Sequence, residues 1–463
     1  MKKELKKMML PDFFIRSIGA VAIVSAVSGL TRKIKGHDGF QFSIFNRCSE
    51  LLLIFLIAIC LRIGLALKMP EGVAWIDGER YERIAINLIE GRGFGTLEEI
   101  RLAFPTQPIL ISIVYFFFGK NYTALRIFFA MIGSSACLMG YILARNLFGR
   151  FEALAAGLLL AIYPQFIFLS ALFEYPQMFF IFLMSIFFVL FFKFRELERK
   201  MILFFAGIVL GVAALSVPTV LMYVPFFLLL LVTRSLRESL KRIGLVSLAL
   251  AIPIGSWSLR NYAVYDRFIL INLSAGTNFW SANNQTYLDL GKPAVVPPCA
   301  KGYEETDYCL QIRNLWRELD RSSLSEEEKI FEEEKRSWAN GIDFIKNNPI
   351  RYPSLIIKKF LSFWSPFPDA VSKYEEHSRR FRDIISATSY VPVLILGLLG
   401  ICLSIRANPR NLAAIYLFFF VFTGAYCIFL PTMRYRLPLD FLLIIFATVP
   451  LHRIYRFLFL HRT

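Results

Sequence analysis

Asp77 is the first of several charged residues in this chain that are candidates for a catalytic or binding role. It follows an apolar run that is long enough to cross a bilayer, and a segment with helical periodicity comes directly after it. The apolar positions of that segment are Tyr81, Ile84, Ala85, Leu88 and Ile89. This spacing predicts an amphipathic helix that lies along a membrane surface and ends at Gly91. Asp77 then stands between lipid and water just before the first turn, where a carboxylate can act as a general base.

Two other interpretations of this acidic segment stay open. Asp is a common N-cap residue, because its side chain accepts a hydrogen bond from the backbone N–H groups of the first turn. Glu79 has the same chemistry two residues further along the chain and is the alternative base. Tyr81 and Glu79 are in either case expected to line a substrate groove beside Asp77.

The composition indicates a polytopic membrane protein. Of 463 residues, 56% are hydrophobic and 47 are Phe, and many apolar runs reach the roughly 17–25 residues that span hydrocarbon. The formal charge of +17 sits mostly in short loops between apolar runs, which is typical of cytoplasmic loops facing anionic lipid. The expected partner of these cations is therefore the membrane, not a nucleic acid.

The apolar runs predict an all-α fold with about 10–11 transmembrane helices. The predicted spans are 50–68, 122–146, 151–171, 175–193, 201–216, 218–233, 243–259, 387–405, 411–430 and 437–455. The apolar segment 109–118 is too short to cross and is predicted to be a half-helix that enters from the outer face. The run 13–30 stays open as an extra helix, an interfacial anchor or a mis-set translation start.

Cation-rich loops follow alternate spans, and this asymmetry predicts that those loops are cytoplasmic. The remaining loops then share the opposite side of the membrane. Five charged residues fall on that outer side, namely Asp77, Glu174, Arg260, Arg434 and Arg436. Because a charge beside hydrocarbon is costly and usually functional, their shared side predicts a site on the extracytoplasmic face.

The chain divides into four predicted units: an N-terminal extension, a transmembrane catalytic module with the first outer loop 69–121, an extracytoplasmic loop domain and C-terminal transmembrane helices. Their ranges are 1–45, 46–260, 261–386 and 387–463. Cys299 and Cys309 share the outer loop and are predicted to form a disulfide where conditions are oxidising. In a reducing compartment both remain thiols.

Five motifs in this order resemble those of the polytopic GT-C-fold glycosyltransferases of the protein-mannosyltransferase and aminoarabinose-transferase type. They are Asp77-Gly78-Glu79-Arg80-Tyr81 with the glycine-rich exit 91–95, Pro105-Thr106-Gln107-Pro108, Phe173-Glu174-Tyr175-Pro176, Trp257-Ser258-Leu259-Arg260-Asn261-Tyr262 followed by Asn283-Asn284, and Arg434-Tyr435-Arg436-Leu437-Pro438-Leu439. The resemblance extends over residues 50–455 and implies a GT-C fold in the plasma (inner) membrane.

The resemblance also implies a reaction, in which a sugar passes with inversion from a polyprenyl-phosphate-linked donor to an acceptor on the extracytoplasmic face. Asp77 would be the general base, and Glu174 would orient the substrate or bind a metal. The residues expected to bind the donor phosphate are Arg434, Arg436 and Arg260, with Asn261 in the groove. The acceptor stays open as a lipid, a protein or a glycan. No cofactor is assigned, and a divalent metal stays open.

Other interpretations compete with this function. The arginines near the last span could pair with lipid headgroups, and Arg260 could anchor a loop through backbone carbonyls. A lipid or glycan transporter (a flippase) is also polytopic and basic, but that class is expected to show repeated halves and broken helices at mid-membrane. This chain shows no repeat and concentrates its charges at one face. A membrane scaffold would leave the five outer charges unexplained.

Overall fold

The structure, a computed structural model, describes residues 41–73, 76–291, 305–367, 379–407 and 412–460. Within these ranges all regular structure is helical. The helices are α1 Gln41–Ala66, α2 Ile76–Ile89, α3 Leu97–Ile100, α4 Thr106–Phe118, α5 Tyr122–Leu147, α6 Arg150–Ile162, α7 Pro164–Ala171, α8 Gln177–Leu197, α9 Lys200–Ser216, α10 Val224–Leu229, α11 Leu236–Tyr265, α12 Ala275–Ala282, α13 Gln285–Leu290, α14 Asp307–Arg321, α15 Glu326–Asn347, α16 Tyr352–Phe363, α17 Arg379–Ala407, α18 Ala413–Ile428 and α19 Met433–Leu460, with a 3₁₀ turn at Pro218–Met222.

Six helices among the described residues are long and apolar enough to cross a membrane: α1, α5, α8, α11, α17 and α19. The pair α6 and α7 bends by 53° and makes a seventh span if it is counted as one. Shorter apolar helices occupy the other predicted spans, and α4 is the predicted half-helix. The chain is therefore an all-α, multi-pass membrane protein, as its apolar runs predict.

Glycines allow the membrane helices to pack closely. Gly207 and Gly211 stand four residues apart on α9, where they face α11. A Cβ atom at Gly207 would lie 2.7 Å from the Ala249 side chain, and one at Gly211 would lie 2.5 Å from Pro253. Small residues at this spacing let two helix backbones approach each other, which dispersion forces then stabilise.

Aromatic side chains fill the centre of the bundle. The Phe187 ring on α8 packs edge-on against Phe227 with their centroids 4.9 Å apart. Phe188 and Phe180 on the same helix contact Phe418 and Phe422 of α18. Edge-to-face and offset contacts of this kind are favoured by the ring quadrupoles. The phenylalanines of α8 thus form part of the core and pack against Phe227 and against α18 near the end of the chain.

A buried arginine stabilises the bend between α6 and α7. Arg62 of α1 is completely buried and donates hydrogen bonds of 3.0 and 3.3 Å to the carbonyl oxygens of Ala161 and Leu160 at the end of α6. Its Nε also bonds to Ser170 of α7 at 3.2 Å. Carbonyl groups that a helix break leaves unpaired must find partners inside a membrane. Arg62 supplies those partners.

The long loop between α11 and α17 packs onto the loop between α1 and α4 and onto the membrane helices. Glu333 of α15 forms a buried ion pair with Arg101, directly after α3. Lys359 of α16 is buried and bonds to Asn283 Oδ1 at 2.8 Å and to the Ile428 carbonyl at the end of α18. These contacts fix α12–α16 against the elements that carry the candidate site.

Two predictions concern local structure near the ends of elements. Gly91 has φ +75°, and Arg92 N–H bonds to the Asn87 carbonyl at 2.8 Å, so the glycine ends α2 in a Schellman motif as predicted. Cys299 lies outside the described residues, and its disulfide with the buried Cys309 therefore stays a prediction.

Candidate active site

Asp77 forms ion pairs with two arginines, Arg80 and Arg434. Helix α2 begins at Ile76, so Asp77 lies inside its first turn and not ahead of it, and the N-cap interpretation does not apply. The two oxygens of its carboxylate have different partners. Oδ2 is 3.6 Å from Arg434 of α19, and Oδ1 is 3.3 Å from Arg80, one turn further along α2. The carboxylate remains partly exposed, which leaves it accessible to a substrate.

Tyrosine rings surround the Arg434 guanidinium. Its central carbon lies 5.1 Å from the centroid of Tyr175 and 5.0 Å from that of Tyr435. Tyr435 in turn stacks on Tyr426, with 4.7 Å between centroids and 10° between planes. Cation–π contacts of this kind hold a guanidinium in place while its N–H groups stay available for hydrogen bonds. The side chain of Arg434 is 25% exposed, on the side of Asp77.

Glu174 packs against Gly78, the residue after Asp77. Glu174 is buried, and its side chain lies so close to Gly78 that a Cβ atom added there would collide with Glu174 Cγ. Arg126 of α5 lies close enough to interact electrostatically with Glu174. Gly78 thus leaves room for the Glu174 side chain beside the first turn of α2, where any larger residue would displace it.

Two buried polar residues hold the loops that carry these carboxylates. Arg126 donates hydrogen bonds to the carbonyl oxygens of Met69, Pro70 and Gly72, at 3.2, 2.7 and 3.1 Å, just before α2. Gln107, at the start of α4, donates to the carbonyl of Phe173, next to Glu174. Satisfying buried backbone groups in this way fixes loop geometry in a low-dielectric region.

The remaining residues of α2 divide between its two faces. Tyr81 is buried beside Asp77 and Arg434. Burial, reinforced by the negative charge of Asp77, raises the pKa of Tyr81 well above its usual value, so the phenol keeps its proton. Glu79 is exposed on the other face of the helix. The structure therefore brings Tyr81, and not Glu79, together with Asp77.

Arg436 lies apart from this group. Residues two positions apart on an α-helix point about 200° away from each other, so Arg434 and Arg436 face opposite sides of α19. Arg436 is completely buried and bonds to Asp440 at 3.1 Å and to the Phe363 carbonyl at 3.0 Å. Its guanidinium also lies 3.7 Å from the Tyr390 ring centroid. These contacts make Arg436 an anchor between α16, α17 and α19, so the structure does not bring it together with Asp77 and Arg434, and its predicted phosphate role stays untested.

Arg260 and Asn261 also contact residues outside the group around Asp77 and Arg434. The Arg260 guanidinium lies 5.2–5.3 Å from the centroids of three rings, those of Phe94, Trp257 and Tyr265. Asn261 is buried, donates to the Ile269 carbonyl at 3.1 Å and accepts from Arg260. In the part of the chain that the structure describes, neither residue contacts Asp77 or Arg434. The loop-anchor interpretation fits Arg260 better than a phosphate-binding role.

No metal ligands are assigned. The described ranges contain no group of three or more His, Cys, Asp and Glu side chains that could hold a metal ion. Asp77 and Glu174 supply two carboxylates, and the predicted role of Glu174 as a metal ligand stays untested.

Sequence reasoning missed Arg126 and Gln107 as supports and Tyr435 as a ring beside Arg434. A usable signal existed for Arg126, because a charge inside an apolar span is rarely accidental. Tyr435 carried no such signal, because aromatic residues are common at the ends of spans.

The geometry can be compared with known proteins. Residues 105–257 match the model of the dolichyl-phosphate-mannose-protein mannosyltransferase family, and no curated protein sequence matches the chain. The apo oligosaccharyltransferase of Archaeoglobus fulgidus is similar in structure, with a TM-score of 0.54 and 16% identity over 90% of this chain and 51% of that one.

Two further structures are similar to the chain. AglB of Archaeoglobus fulgidus, in complex with an inhibitory peptide and a dolichol-phosphate, has a TM-score of 0.51 and 16% identity over 91% of this chain and 52% of its own. ArnT of Cupriavidus metallidurans bound to undecaprenyl phosphate has a TM-score of 0.38 and 14% identity over 89% and 78%. The chain spans about half the length of the oligosaccharyltransferase structures. The match to AglB confirms the GT-C fold, and the predicted resemblance to the mannosyltransferase type is confirmed by the family model over its matched range.

Proposed function

We propose that this protein transfers a sugar from a polyprenyl-phosphate carrier to an acceptor hydroxyl. The single observation that carries the proposal is the contact between Asp77 and Arg434, 3.6 Å apart. A carboxylate that can take a proton and a guanidinium that can bind a phosphate are the two groups such a transfer requires. The structural similarity to a protein that binds dolichol-phosphate supports the choice of donor.

The reaction follows from the placement of these groups. Asp77 accepts the proton of the acceptor hydroxyl, the hydroxyl oxygen bonds to the anomeric carbon, and the bond from that carbon to the phosphate oxygen breaks. Because the acceptor attacks opposite the leaving group, one base suffices and the anomeric configuration inverts, whereas retaining enzymes use a second carboxylate as nucleophile. The polyprenyl phosphate leaves with two negative charges, which Arg434 stabilises.

The ion pair between Asp77 and Arg434 implies that donor binding precedes proton transfer to Asp77. In the unliganded protein Asp77 and Arg434 neutralise each other, so the base is engaged in an ion pair. An incoming phosphate offers Arg434 a stronger, charge-assisted partner. Donor binding therefore releases Asp77 from Arg434, which makes the base available once the donor is in place.

An apolar groove gives the carrier lipid a place to lie. Helices α2 and α4 border a groove of about 230 Å³ whose walls are Leu88, Ile89, Ile113, Phe116 and Phe117. Phe116 and Phe117 are each 72% exposed, which suits contact with lipid and not with water. Leu88 and Ile89 lie at the C-terminal end of α2, about 17 Å from Asp77 in its first turn, so an isoprenoid chain in the groove would extend along α2 from a phosphate at Arg434.

The site is assigned to the extracytoplasmic face of the plasma (inner) membrane. The cation-rich loops at the ends of alternate spans support this orientation. Nucleotide sugars are made in the cytoplasm, whereas a flipped lipid carrier presents its sugar outside. A donor that is itself a lipid also explains why most of this chain lies within the bilayer.

Replacing the base tests the proposal. Asp77→Asn keeps the size of the side chain but removes its ability to accept a proton. We expect cells that carry this variant to lose the transferred sugar from their lipids or surface glycans, as do cells without the gene, when both are compared by mass spectrometry. In purified protein the transfer rate should fall about 100- to 10,000-fold.

Glu79→Gln is the matched control, because Glu79 is exposed on the opposite face of α2. This variant should keep wild-type transfer, and both variants should be present in the membrane in equal amounts. Full activity of Asp77→Asn would refute the proposed role. An inactive Glu79→Gln beside an active Asp77→Asn would exchange the roles of the two acids.

A further inference from the structure

The outer loop contains a polar cavity that shares no lining residue with the Asp77 site. It measures about 360 Å³ and lies between α13, α14 and α15. This volume falls within the range of about 300–1,000 Å³ that is usual for ligand pockets. Amide and carboxylate side chains from all three helices line it, among them Gln285, Asp307, Gln311, Asn340, Asp343 and Asn347.

The charge of the cavity selects against anions. Among the described residues that line it there is no Lys, Arg or His, although the chain as a whole has a net charge of +17. Asp307 and Asp343 make the lining negative, so a phosphate or carboxylate ligand would be repelled. A metal ion lacks a sufficient set of ligands among these residues, because two carboxylates do not make a group of three.

One wall presents side chains that are free to bind. Asn340, Asp343 and Asn347 lie three and then four positions apart on α15, so they share one face of that helix. The side chains of these three residues form no hydrogen bond or ion pair with another residue that the structure describes. On the opposite wall the Gln311 amide donates to Asp307 at 2.9 Å, which aligns both groups while leaving acceptor oxygens available. Amides and carboxylates together can both donate to and accept from hydroxyl groups.

The cavity also has an apolar element. Phe344 of α15 lies between the polar residues of the wall and is half-buried. A sugar ring has polar edges and an apolar face, and a pocket of amides and carboxylates beside an aromatic side chain matches both. The chemistry of the lining therefore fits a neutral polyhydroxylated ligand.

Helix α15 connects this cavity to the candidate active site. Two turns before Asn340 on the same helix, Glu333 pairs with Arg101, which directly follows α3. The adjacent Glu334 accepts hydrogen bonds from the backbone N–H groups of Gly276 and Thr277 at the start of α12. A ligand bound to α15 is consequently held on a unit that is fixed against the loop following α2.

We propose that this cavity binds a neutral sugar unit of the acceptor, which makes the acceptor a glycan. The inference rests on the proposed transferase function, because it names the acceptor class of that same reaction. A sugar held in the cavity would anchor the glycan while its terminal hydroxyl reaches Asp77.

Binding of free sugars to the full-length protein in detergent tests this inference. Saturation-transfer NMR would be recorded with neutral mannotriose and maltotriose as probes, and with putrescine and inorganic phosphate as cationic and anionic probes. We expect at least one neutral trisaccharide to bind. The double variant Asn340→Ala/Asp343→Ala should weaken that binding about tenfold, because two hydrogen-bonding groups are lost.

The double variant Asn314→Ala/Asp320→Ala is the matched control, because both residues are exposed on α14 and neither lines the cavity. It should bind like the wild type. If the cavity variant does not fold, Gln311→Ala probes the opposite wall. Equal trisaccharide binding by wild-type and cavity variants, binding of putrescine or phosphate alone, or no sugar binding at all would each overturn the inference.

The outcome separates this inference from the proposed function. Loss of activity in Asp77→Asn without any trisaccharide binding leaves the transferase standing and removes the glycan site. Trisaccharide binding that depends on Asn340 and Asp343, beside an active Asp77→Asn, leaves a sugar-binding cavity and removes the proposed base.

Discussion

At the residue scale, the contact between Asp77 and Arg434 joins a helix near the start of the chain to one near its end. The two residues are 357 positions apart in the printed sequence, yet both carboxylate oxygens of Asp77 lie near an arginine nitrogen. Arg80 and the rings of Tyr175 and Tyr435 hold them there. This arrangement keeps two opposite charges close together without burying either one completely.

Arg434 is expected to govern donor binding. Arg434→Ala should raise the KM for the lipid donor by one to two orders of magnitude and leave the KM for the acceptor nearly unchanged, because a charge-assisted contact is lost. Arg434→Lys should restore only part of the affinity, since a lysine cannot bind two phosphate oxygens in parallel. Steady-state kinetics with each substrate varied in turn measures both effects.

Arg83→Ala is the control for this series, because Arg83 is exposed on α2. It should leave both KM values unchanged. A larger effect of Arg434→Ala on the acceptor KM than on the donor KM would contradict the phosphate role.

The sequence drew attention to several residues that lie close together in the structure, although their roles stay predictions. Asp77, Tyr81 and Arg434 are neighbours, and Glu174 packs against Gly78 beside Asp77. Arg436 could not be told from Arg434 by type alone, because the difference depends on which face of α19 each residue occupies. The surroundings of Arg260 were also not predicted, since one of its ring neighbours, Phe94, comes from a distant position in the chain.

At the element scale, Arg62 stabilises the bent pair α6 and α7. Replacing it by leucine removes the hydrogen bonds that Arg62 donates to the carbonyl groups of Leu160 and Ala161 and to Ser170. We expect Arg62→Leu to lower the free energy of unfolding by about 2–5 kcal/mol. A reduced apparent melting temperature in detergent would show this loss.

Arg234→Leu provides the comparison, because Arg234 is exposed in the loop between α10 and α11. Its apparent melting temperature should match that of the wild type. If Arg62→Leu were as stable as Arg234→Leu, the helix break would not depend on Arg62.

The buried Lys359 makes the packing of α16 sensitive to pH. Burial lowers the pKa of Lys359 to about 7, whereas in the unfolded chain a lysine titrates at about 10.4. Between these two values the unfolded state keeps a proton that the folded state has lost. Stability therefore rises as the pH increases through this window, and below pH 7 the full cost of the buried charge is present.

The apparent melting temperature of the wild type should therefore increase between pH 7 and pH 9.5, within the window that the two pKa values define. In Lys359→Met this increase should disappear or become smaller. Lys358→Met is the matched control, because Lys358 is the neighbouring lysine and is partly exposed. It should keep the wild-type pH dependence. Equal slopes in the wild type and Lys359→Met would contradict the account.

The positions of the helices along the chain were easier to predict than the contacts between helices. Each predicted span within the described residues is occupied by helical structure, because the bilayer leaves few alternatives to helices for an apolar chain. The 53° bend between α6 and α7 was not predicted. Pro164 at the start of α7 marks it in the sequence, but the Arg62 side chain that completes the break comes from another helix.

At the scale of the whole molecule, the chain forms one helical bundle of the GT-C type, in which Asp77 of α2 contacts Arg434 of α19. The motifs of the sequence predicted this fold correctly, since they occur in the order the family requires. The packing of the outer loop could not be predicted, because Arg101–Glu333 and Lys359–Asn283 join residues far apart in the chain. The polar cavity between α13, α14 and α15 was missed for the same reason.

The choice of donor is the most direct test of the central claim. Purified protein in nanodiscs would be given labelled polyprenyl-phosphate sugars and labelled nucleotide sugars in separate reactions, with Asp77→Asn protein in parallel. The account predicts transfer from a polyprenyl-phosphate sugar, none from any nucleotide sugar, and none by Asp77→Asn. Transfer from a nucleotide sugar but not from the lipid-linked form would contradict both the donor and the role assigned to Arg434.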